Sequence, residues 1–495
     1  MGAAQGSEQT TVSESGTITL NVSGAGSSQN RSFASYAAFI DQFPPCLAPL
    51  VPGYLTGPMF TNGAWQWGTT GTYTMTDLVG QQNADFDFWF GGNCIPSPTA
   101  SYKSGSQTIA PQFQGSPSPG YALGQPAVPL PPNEYSQEWA VLDSKGCGEG
   151  SNVCGNSTSP SPPSVTNANL NASLKNASGS SYPINGASSG VYMNYTSNSG
   201  VNTMAGGGFY VEGNAGVTLS TSGTSAEVFV ISQTSGSTTT TTTITTDPLA
   251  TPPTSWNCSG SVTTGTTTVA TKVGSGPTTT ANFCGVPMNL STPQPQPSTM
   301  LYVDGTITSL SGTGQGVAGI NDYNAVTITA NGDIDITGDL IYKTEPVTTS
   351  ANQVVPGTSP ACCNGSPADT MIPGHDNGQV FGLFTGAGNI VFSSQYSNDN
   401  LEVDGSMAAI VQGQSYGFKT NGSINTLTNV GGRIEDAAHT VDMRAFNVYF
   451  DRRFTDDKGF APPWFPSTTI TSNGPTQATA APTTAQRVQW VLKNM

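Results

Sequence analysis

The chain has 495 residues, of which 9% are charged, and its formal net charge is −16. With 14 basic residues against 30 acidic ones, it offers no basic stripe for nucleic acid and no polybasic patch for anionic lipid. Gly (59) and Pro (36) are abundant, whereas helix-rich proteins use more Lys, Glu and Arg. An aromatic content of 9% also argues against a disordered chain. The composition therefore predicts many short strands joined by turns.

Residues 1–44 begin with a polar segment that resembles neither a signal peptide nor a membrane span. We therefore expect any targeting segment to have been removed or left out of this chain. The stretch "GTITLNV" is a strand candidate. After it, Phe33, Tyr36, Ala37 and Ile40 follow a helical period, which predicts a short helix that ends before Pro44.

Residues 45–145 are predicted to be an aromatic-rich β region. Trp65 and Trp67 alternate with other residues, as do Phe86, Phe88 and Phe90 in "FDFWF". Core packing is the commoner role for such side chains. The alternative is a glycan-binding platform, in which Trp65, Trp67 and Trp89 would contact sugars.

Residues 146–300 form a low-complexity region rich in Ser, Thr, Gly and Pro, including the threonine run Thr238–Thr243. Threonine favours extended chain, and proline divides it into short pieces. This composition predicts long loops and edge hairpins that decorate a β core.

Residues 301–467 carry the most regular pattern. In "AVTITANGDIDITGDLIY", apolar residues alternate with Thr or Asp, and glycine interrupts each short run. The same rhythm returns in "GNIVF" and "LEVDGSMAAI". Short strands separated by regular turns are typical of a parallel β-helix. We therefore predict an all-β protein with a right-handed parallel β-helix or solenoid core, followed by a C-terminal tail over residues 468–495.

Three similar stretches, "FYVEGNAG", "LYVDGT" and "LEVDGS", place an acid before a glycine. The acids are Glu212, Asp304 and Asp404. We interpret them as solvent-facing residues at a corner, where the glycine adopts a positive φ. Catalysis is the alternative, but a catalytic acid needs a partner and none recurs in the sequence beside these three.

Asp333, Asp335 and Asp339 in "DIDITGD" are the candidate ligands of a Ca²⁺ ion. Solvated acids on an outer strand face are the alternative explanation. We expect no other cofactor. We predict no catalytic residue, because no nucleophile elbow, P-loop or HExxH motif occurs and His375 and Asp376 are adjacent on extended chain.

Eight cysteines occur without metal-like spacing. An even count in a polar, turn-rich chain predicts structural disulfides and an oxidising, extracellular environment. The pairs favoured by proximity are Cys46–Cys94, Cys147–Cys154 and Cys258–Cys284, with the vicinal Cys362 and Cys363 left bonded or free. The connectivity stays open at this point.

Several stretches resemble the PilX-like, type IV pilus-associated proteins of bacteria, acidobacterial ones in particular. They include "SFASYAAFIDQF", "GGGFYVEGNAGVTLSTSG", "TMLYVDGTITSLSG", "NLEVDGSMAAI" and "NVYFDRRFTDDKGFAPPWFP". The resemblance implies an exported, surface-displayed β-rich ectodomain, tethered by an N-terminal pilin-like hydrophobic helix that this chain lacks. It brings no catalytic residues with it.

The sequence therefore predicts a non-enzymatic protein of the bacterial cell surface that belongs to, or associates with, a type IV pilus or another filament. Its partners would be copies of itself or pilus subunits. The first alternative is an adhesin that binds surface glycans. The second is a β-helical carbohydrate-active enzyme, since polysaccharide lyases and hydrolases often use this architecture.

Overall fold

A computed structural model gives the fold of most of the chain. It describes residues 29–43, 46, 49–104, 107–109, 112–114, 118–133, 135–142, 162–176, 178–198, 201–249, 256–264, 267–271, 298–346, 379–454 and 461–470. The "GTITLNV" stretch, Pro44 and His375 lie outside these residues, as does most of the predicted C-terminal tail. The all-β prediction is confirmed, because strands dominate the described residues and only two short α-helices occur among them.

The N-terminal part consists of short strands. They are β1 (Gln29–Ser32), β2 (Ala38–Gln42), β3 (Gly53–Leu55), β4 (Met59–Thr61), β5 (Gln66–Gly68), β6 (Thr72–Met75), β7 (Asp77–Gln81), β8 (Phe86–Phe90), β9 (Asn93–Ser97), β10 (Tyr102–Ser104), β11 (Gln107–Ile109), β12 (Gln112–Gln114) and β13 (Ser118–Ala122). Two helices follow, α1 (Tyr135–Leu142) and α2 (Asn167–Ser173).

The middle part contains longer strands that pair mainly as antiparallel hairpins. They are β14 (Lys175–Asn176), β15 (Gly190–Asn198), β16 (Val201–Glu212), β17 (Ala215–Ser222), β18 (Ala226–Ser235), β19 (Thr238–Leu249), β20 (Trp256–Thr264) and β21 (Thr267–Thr271). The threonine run lies in β19, between β18 and β20. The middle region therefore does contain hairpins, and they are longer than its composition suggests.

The C-terminal part returns to short strands with two longer ones among them. They are β22 (Ser298–Asp304), β23 (Ile307–Ser311), β24 (Ala318–Ile320), β25 (Ala325–Ala330), β26 (Ile334–Ile336), β27 (Ile341–Tyr342), β28 (Val380–Thr385), β29 (Ile390–Phe392), β30 (Asn400–Ala409), β31 (Phe418–Thr420), β32 (Ile424–Ala437), β33 (Met443–Tyr449) and β34 (Ser467–Ile470). β34 pairs antiparallel with β1 and so joins the two ends of the described chain.

Parallel pairing links strands that are distant in sequence into one long series, which we call ladder A. Its order in space is β16, β22, β25, β28, β30, β32, β2, β4, β7 and β13. The N-terminal strand β2 thus lies beside β32, with Phe39 opposite Ile434. The aromatic-rich region continues the stack that the C-terminal part begins.

Two further parallel series accompany ladder A. Ladder B runs through β17, β23, β26, β29 and β31. Ladder C runs through the first halves of β30 and β32, then β33, β3, β6 and β12. β30 and β32 each pass from ladder C to ladder A, and Gly405 lies opposite Gly431 where they turn. The positive φ of Gly405 (130°) is a conformation that glycine adopts readily.

Columns of apolar side chains connect the strands within each ladder. Residues at matching positions of successive strands are buried and belong to one hydrophobic core. The columns include Leu301, Ile328 and Leu383 in ladder A, Ile334, Ile390 and Phe418 in ladder B, and Leu401, Leu427 and Phe446 in ladder C. Ile328 and Ile334, which alternate with polar residues in the sequence, are therefore both core residues.

The other face of ladder A is covered as well. A second hydrophobic cluster joins α1 to Met300 and Tyr302 of β22. Beyond it, the Thr327 hydroxyl donates a hydrogen bond to the Pro463 carbonyl at 2.5 Å. Cover on both faces explains why every residue of β25 is buried, including Thr327 and Thr329.

The predicted N-terminal helix is wrong in extent. Only Phe33–Ser35 form a 3₁₀ turn, in which Ser32 accepts a hydrogen bond from the Ala34 N–H. Ala38–Gln42 form β2 instead, because parallel ladder bonds on both sides satisfy this backbone and bury Phe39. Within the described residues, neither α-helix is long and apolar enough to cross a membrane.

Candidate metal centre

Strand β30 places two acids on one side of ladder C. Glu402 and Asp404 are two positions apart, so their side chains leave the same face of the strand, while Val403 between them is in the core. The Leu340 N–H donates to the Glu402 carbonyl at 2.9 Å, and the Asp404 N–H donates to the Leu340 carbonyl at 2.7 Å. These backbone bonds bring the segment around β27 against β30.

A third acid from that segment completes a cluster, which we call the carboxylate triad: Glu345, Glu402 and Asp404. One oxygen from each side chain lies within 4.8 Å of the others. Among the described residues, this is the one group of three potential His, Cys, Asp or Glu ligands that meets this distance. The triad therefore combines two neighbouring acids of β30 with a third that is distant in sequence.

Asp404 is the most buried member of the triad, with no exposed surface. Its Oδ2 accepts a hydrogen bond from the Tyr342 N–H at 2.8 Å. Its Oδ1 has no hydrogen-bond partner, and the same is true of the buried Oε1 of Glu402. An ionised carboxylate in this position loses its hydration without full compensation, which costs several kcal/mol.

Burial and like charge both disfavour ionisation here. Burial raises the pKa of Glu402 to about 7, with further contributions from the negative charges of Glu345 and Asp339. Burial also raises the pKa of Asp404 well above its usual value, and the charges of Glu402 and Glu345 add to the effect. The triad therefore favours either bound protons or a bound cation.

Lys343, which is close to Glu345 in sequence, and Arg453 both contact groups outside the triad. The Lys343 ammonium donates to the carbonyls of Gly223 and Thr224 at 2.8 and 3.2 Å. Arg453 forms a buried ion pair with Asp451, whose closest approach is 2.7 Å. Each of these cations therefore already neutralises or contacts another group.

The two acids that precede glycine in the related stretches are in a different situation. Glu212 accepts a hydrogen bond from the Tyr182 hydroxyl at 2.6 Å. Asp304 accepts one from the Tyr210 hydroxyl and one from the Asn331 amide, both at 2.9 Å. Both side chains are half-buried. The interpretation of these acids as solvent-facing is therefore wrong for Asp404, which is fully buried because β27 covers its side of β30.

The structure does not bring the three aspartates of "DIDITGD" together as a cluster of potential metal ligands within 4.8 Å of one another. Asp333 accepts hydrogen bonds from Asn389, and Asp335 accepts one from the Ser393 hydroxyl. Asp339 follows the bend at Gly338. Its two oxygens accept the Glu402 and Gly316 N–H groups at 2.9 and 2.8 Å. Asp339 therefore lies beside the carboxylate triad and helps to position Glu402.

The tryptophans proposed for glycan contact are mostly inside the protein. Trp65 and Trp67 have no exposed surface, so neither ring can contact a sugar in this structure. The Trp65 Nε1–H donates to the Gly80 carbonyl at 2.9 Å, which fixes that ring in the core. Trp89 is partly exposed on β8. These positions favour the core-packing interpretation for Trp65 and Trp67.

The Cys46–Cys94 disulfide is present, as sequence proximity predicted. It connects the turn after β2 to β9. A crosslink between residues 48 positions apart in sequence stabilises the folded state by about 4 kcal/mol through loop entropy. The side chain of Cys258 lies outside the described part of the structure, as do Cys147, Cys154, Cys284, Cys362 and Cys363 entirely.

The sequence pattern singles out Asp404 but does not indicate Glu345 and Glu402 as its neighbours. The available signal was the pair of acids at alternate positions in "LEVDG", which a strand places on one face. Nothing local indicates that Glu345 joins them, because the contact depends on how β27 meets β30.

Comparison with known proteins gives no match. No protein-family model, no curated protein and no solved structure is similar to the chain. The resemblance to PilX-like proteins therefore stays a prediction from the residues.

Proposed function

We propose that this chain is a non-enzymatic structural protein of the bacterial cell surface, associated with a type IV pilus or another surface filament. We further propose that ladders A, B and C are the faces of one right-handed parallel β-helix. Right-handed connection is the rule for parallel strands.

The observation that carries the proposal is ladder A. Its parallel register continues from β16 to β13, and matching apolar residues stack along it into one core. Such a stack is stabilised by contacts between neighbouring layers, and it presents long polar faces on which partners can bind. This architecture suits an elongated structural subunit.

The disulfide between Cys46 and Cys94 supports an exported location, because disulfides persist in oxidising compartments. The formal charge of −16 would keep such a protein soluble and apart from anionic surfaces. Burial of Trp65 and Trp67 weighs against the adhesin alternative in its predicted form.

The two ends of ladder A differ in whether a strand edge is open for pairing with another subunit. At the β16 end, the antiparallel strands β15 and β14 follow. At the other end, β13 pairs with β7 and β12 pairs with β6, and in the described residues neither has a partner on its second side. Open strand edges pair readily with other chains, so we propose the β12–β13 end as the surface through which subunits associate.

Immunogold labelling of intact source cells tests the proposed location. We expect gold particles along surface filaments before any permeabilisation. Labelling that occurs only after permeabilisation would contradict a surface protein. Labelling of the envelope without filaments would contradict the filament association while leaving export intact.

A further inference from the structure

A cluster of carboxylates is common on protein surfaces, but the triad differs in its burial. Asp404 has no exposed surface, yet its Oδ1 has no hydrogen-bond partner. Buried polar atoms in native proteins are almost always paired. The unpaired Oδ1 of Asp404 lies in a cluster with two further carboxylates and therefore marks a position that a cation can occupy.

We propose that Glu345, Glu402 and Asp404 bind one Ca²⁺ ion. All three offer carboxylate oxygens, which are the ligands that hard cations prefer. Cys and His ligands, which favour Zn²⁺, are not part of the group. Three carboxylates that bind with one or both oxygens can supply much of the six- to eight-oxygen shell of Ca²⁺.

Backbone contacts prepare the site. The Tyr342 N–H holds Asp404 Oδ2 at 2.8 Å, and Asp339 holds the Glu402 N–H at 2.9 Å. With Oδ2 fixed in this way, Oδ1 is left for the ion. Asp339 has both oxygens engaged by N–H groups and is a positioning residue rather than a ligand.

The bound ion would connect β30 to the segment that follows β27. Glu402 and Asp404 belong to β30, whereas Glu345 follows β27, which meets β30 at the bridge between Leu340 and Val403. Ca²⁺ would therefore crosslink this segment to β30 and stabilise the two against separation. This role is independent of the proposed function in filaments, because it concerns the stability of a single chain.

Calorimetric titration of the full chain with CaCl₂, after removal of metals by a chelator, tests the proposal. We expect one ion per chain, with a dissociation constant on the order of 10⁻⁴ M, as in extracellular modules. Asp404→Asn should weaken binding at least about tenfold, because affinity depends on the charge of the ligands. Asp335→Asn is the matched control and should bind Ca²⁺ as the wild type does.

Thermal unfolding with and without Ca²⁺ is the second measurement. It shows whether a variant that binds no Ca²⁺ is still folded. We expect Ca²⁺ to raise the Tm of the wild type and of Asp335→Asn, but not that of Asp404→Asn. In chelator at pH 8, Asp404→Asn should be at least as stable as the wild type, since the amide removes a buried charge. A wild type that binds no Ca²⁺, or an Asp404→Asn variant that binds it normally, would overturn the proposal, and tighter binding of Mg²⁺ would overturn the choice of ion.

Discussion

Individual residues show most clearly where burial differs from what the alternation of apolar and polar residues predicts. Alternation in "AVTITANGDIDI" identifies Val326, Ile328 and Ile334 as core residues, and all three are buried. It assigns Asp404 to the outer side of its strand, which is where the residue lies. Alternation does not indicate what covers that side, and the cover by β27 converts a solvated acid into a buried one.

Glu227 in β18 is another buried acid, and it allows a pH prediction. Its Oε2 accepts the Asn321 N–H at 2.7 Å, whereas Oε1 has no hydrogen-bond partner. Burial raises the pKa of Glu227 well above the usual value. The native state therefore holds the proton more tightly than the unfolded chain, so stability is lost as pH rises from about 4.5 through the native pKa.

We expect Glu227→Gln to be more stable than the wild type at pH 8 by at least about 1 kcal/mol, since each unit of pKa shift corresponds to about 1.4 kcal/mol. At pH 4.5 the gain should disappear, because the wild-type carboxyl is then protonated. Urea unfolding at the two pH values measures both. The exposed Asp85, changed to Asn, serves as control, and an equal effect of Glu227→Gln at both pH values would refute the argument.

Gly405 is a residue at which backbone conformation and close packing coincide. Its φ is 130°, and a Cβ atom there would lie 2.5 Å from the Phe381 carbonyl oxygen. Gly405→Ala should lower the free energy of unfolding by at least about 2 kcal/mol, from backbone strain and overpacking together. Gly422 also has a positive φ, of 93°, but has open space around it.

Gly422→Ala therefore separates the two contributions, since it carries strain without the clash. We expect it to cost about half as much as Gly405→Ala, or less, by denaturant titration. Equal losses for the two variants would show that the corner between ladders C and A is not tightly packed.

At the scale of elements, the strands of residues 301–450 are the most predictable part of the fold. Their glycines and alternating residues specify where each short strand begins and ends. The pairing of β2 with β32 could not be predicted, because Phe39 and Ile434 are brought together only by the complete stack. The same pairing explains why a strand forms where a helix was predicted. The hydrogen bonds between β2 and its neighbouring strands outweigh the weak helical spacing of apolar residues in this stretch.

The two α-helices were also missed. α2 has a local signal: Thr166 and Asn169 form a capping box, in which each side chain bonds to the backbone of the other. Its seven residues contain one buried side chain, Leu170, so no apolar period marks it. Short helices of this kind are stabilised by packing against strands rather than by propensity.

A buried ion pair within β32 contacts neighbouring strands and provides a prediction at this scale. Arg433 contacts the Glu435 carboxylate, and its guanidinium lies 5.0 Å from the centre of the Phe446 ring. Glu435 also accepts the Phe418 N–H at 2.7 Å. Arg433→Met would leave Glu435 buried without a counter-ion, and we expect a loss of about 3–5 kcal/mol in the free energy of unfolding.

The double variant Arg433→Met, Glu435→Gln removes both charges and should recover a large part of that loss. A double-mutant cycle by denaturant unfolding measures the coupling between the two sites. Strictly additive effects would show that the pair contributes no specific interaction.

At the scale of the whole molecule, chain order and spatial order differ. The C-terminal strands lie in the middle of ladder A, and the N-terminal strands continue it toward β13. Antiparallel hairpins follow the β16 end, whereas the β12–β13 end has open strand edges within the described residues. The two ends therefore do not offer the same surface for association. This asymmetry would give a filament in which one end of the stack meets a different surface of the next subunit.

Cryo-electron microscopy of the purified chain over a range of concentrations tests whether the protein forms filaments built from a β-helix. We expect filaments with a regular axial repeat, in which each subunit shows stacked strand layers about 4.8 Å apart and subunits meet at the β12–β13 end. Dispersed monomers at every concentration would contradict self-assembly into a filament. Subunits without continuous parallel layers would contradict the β-helix.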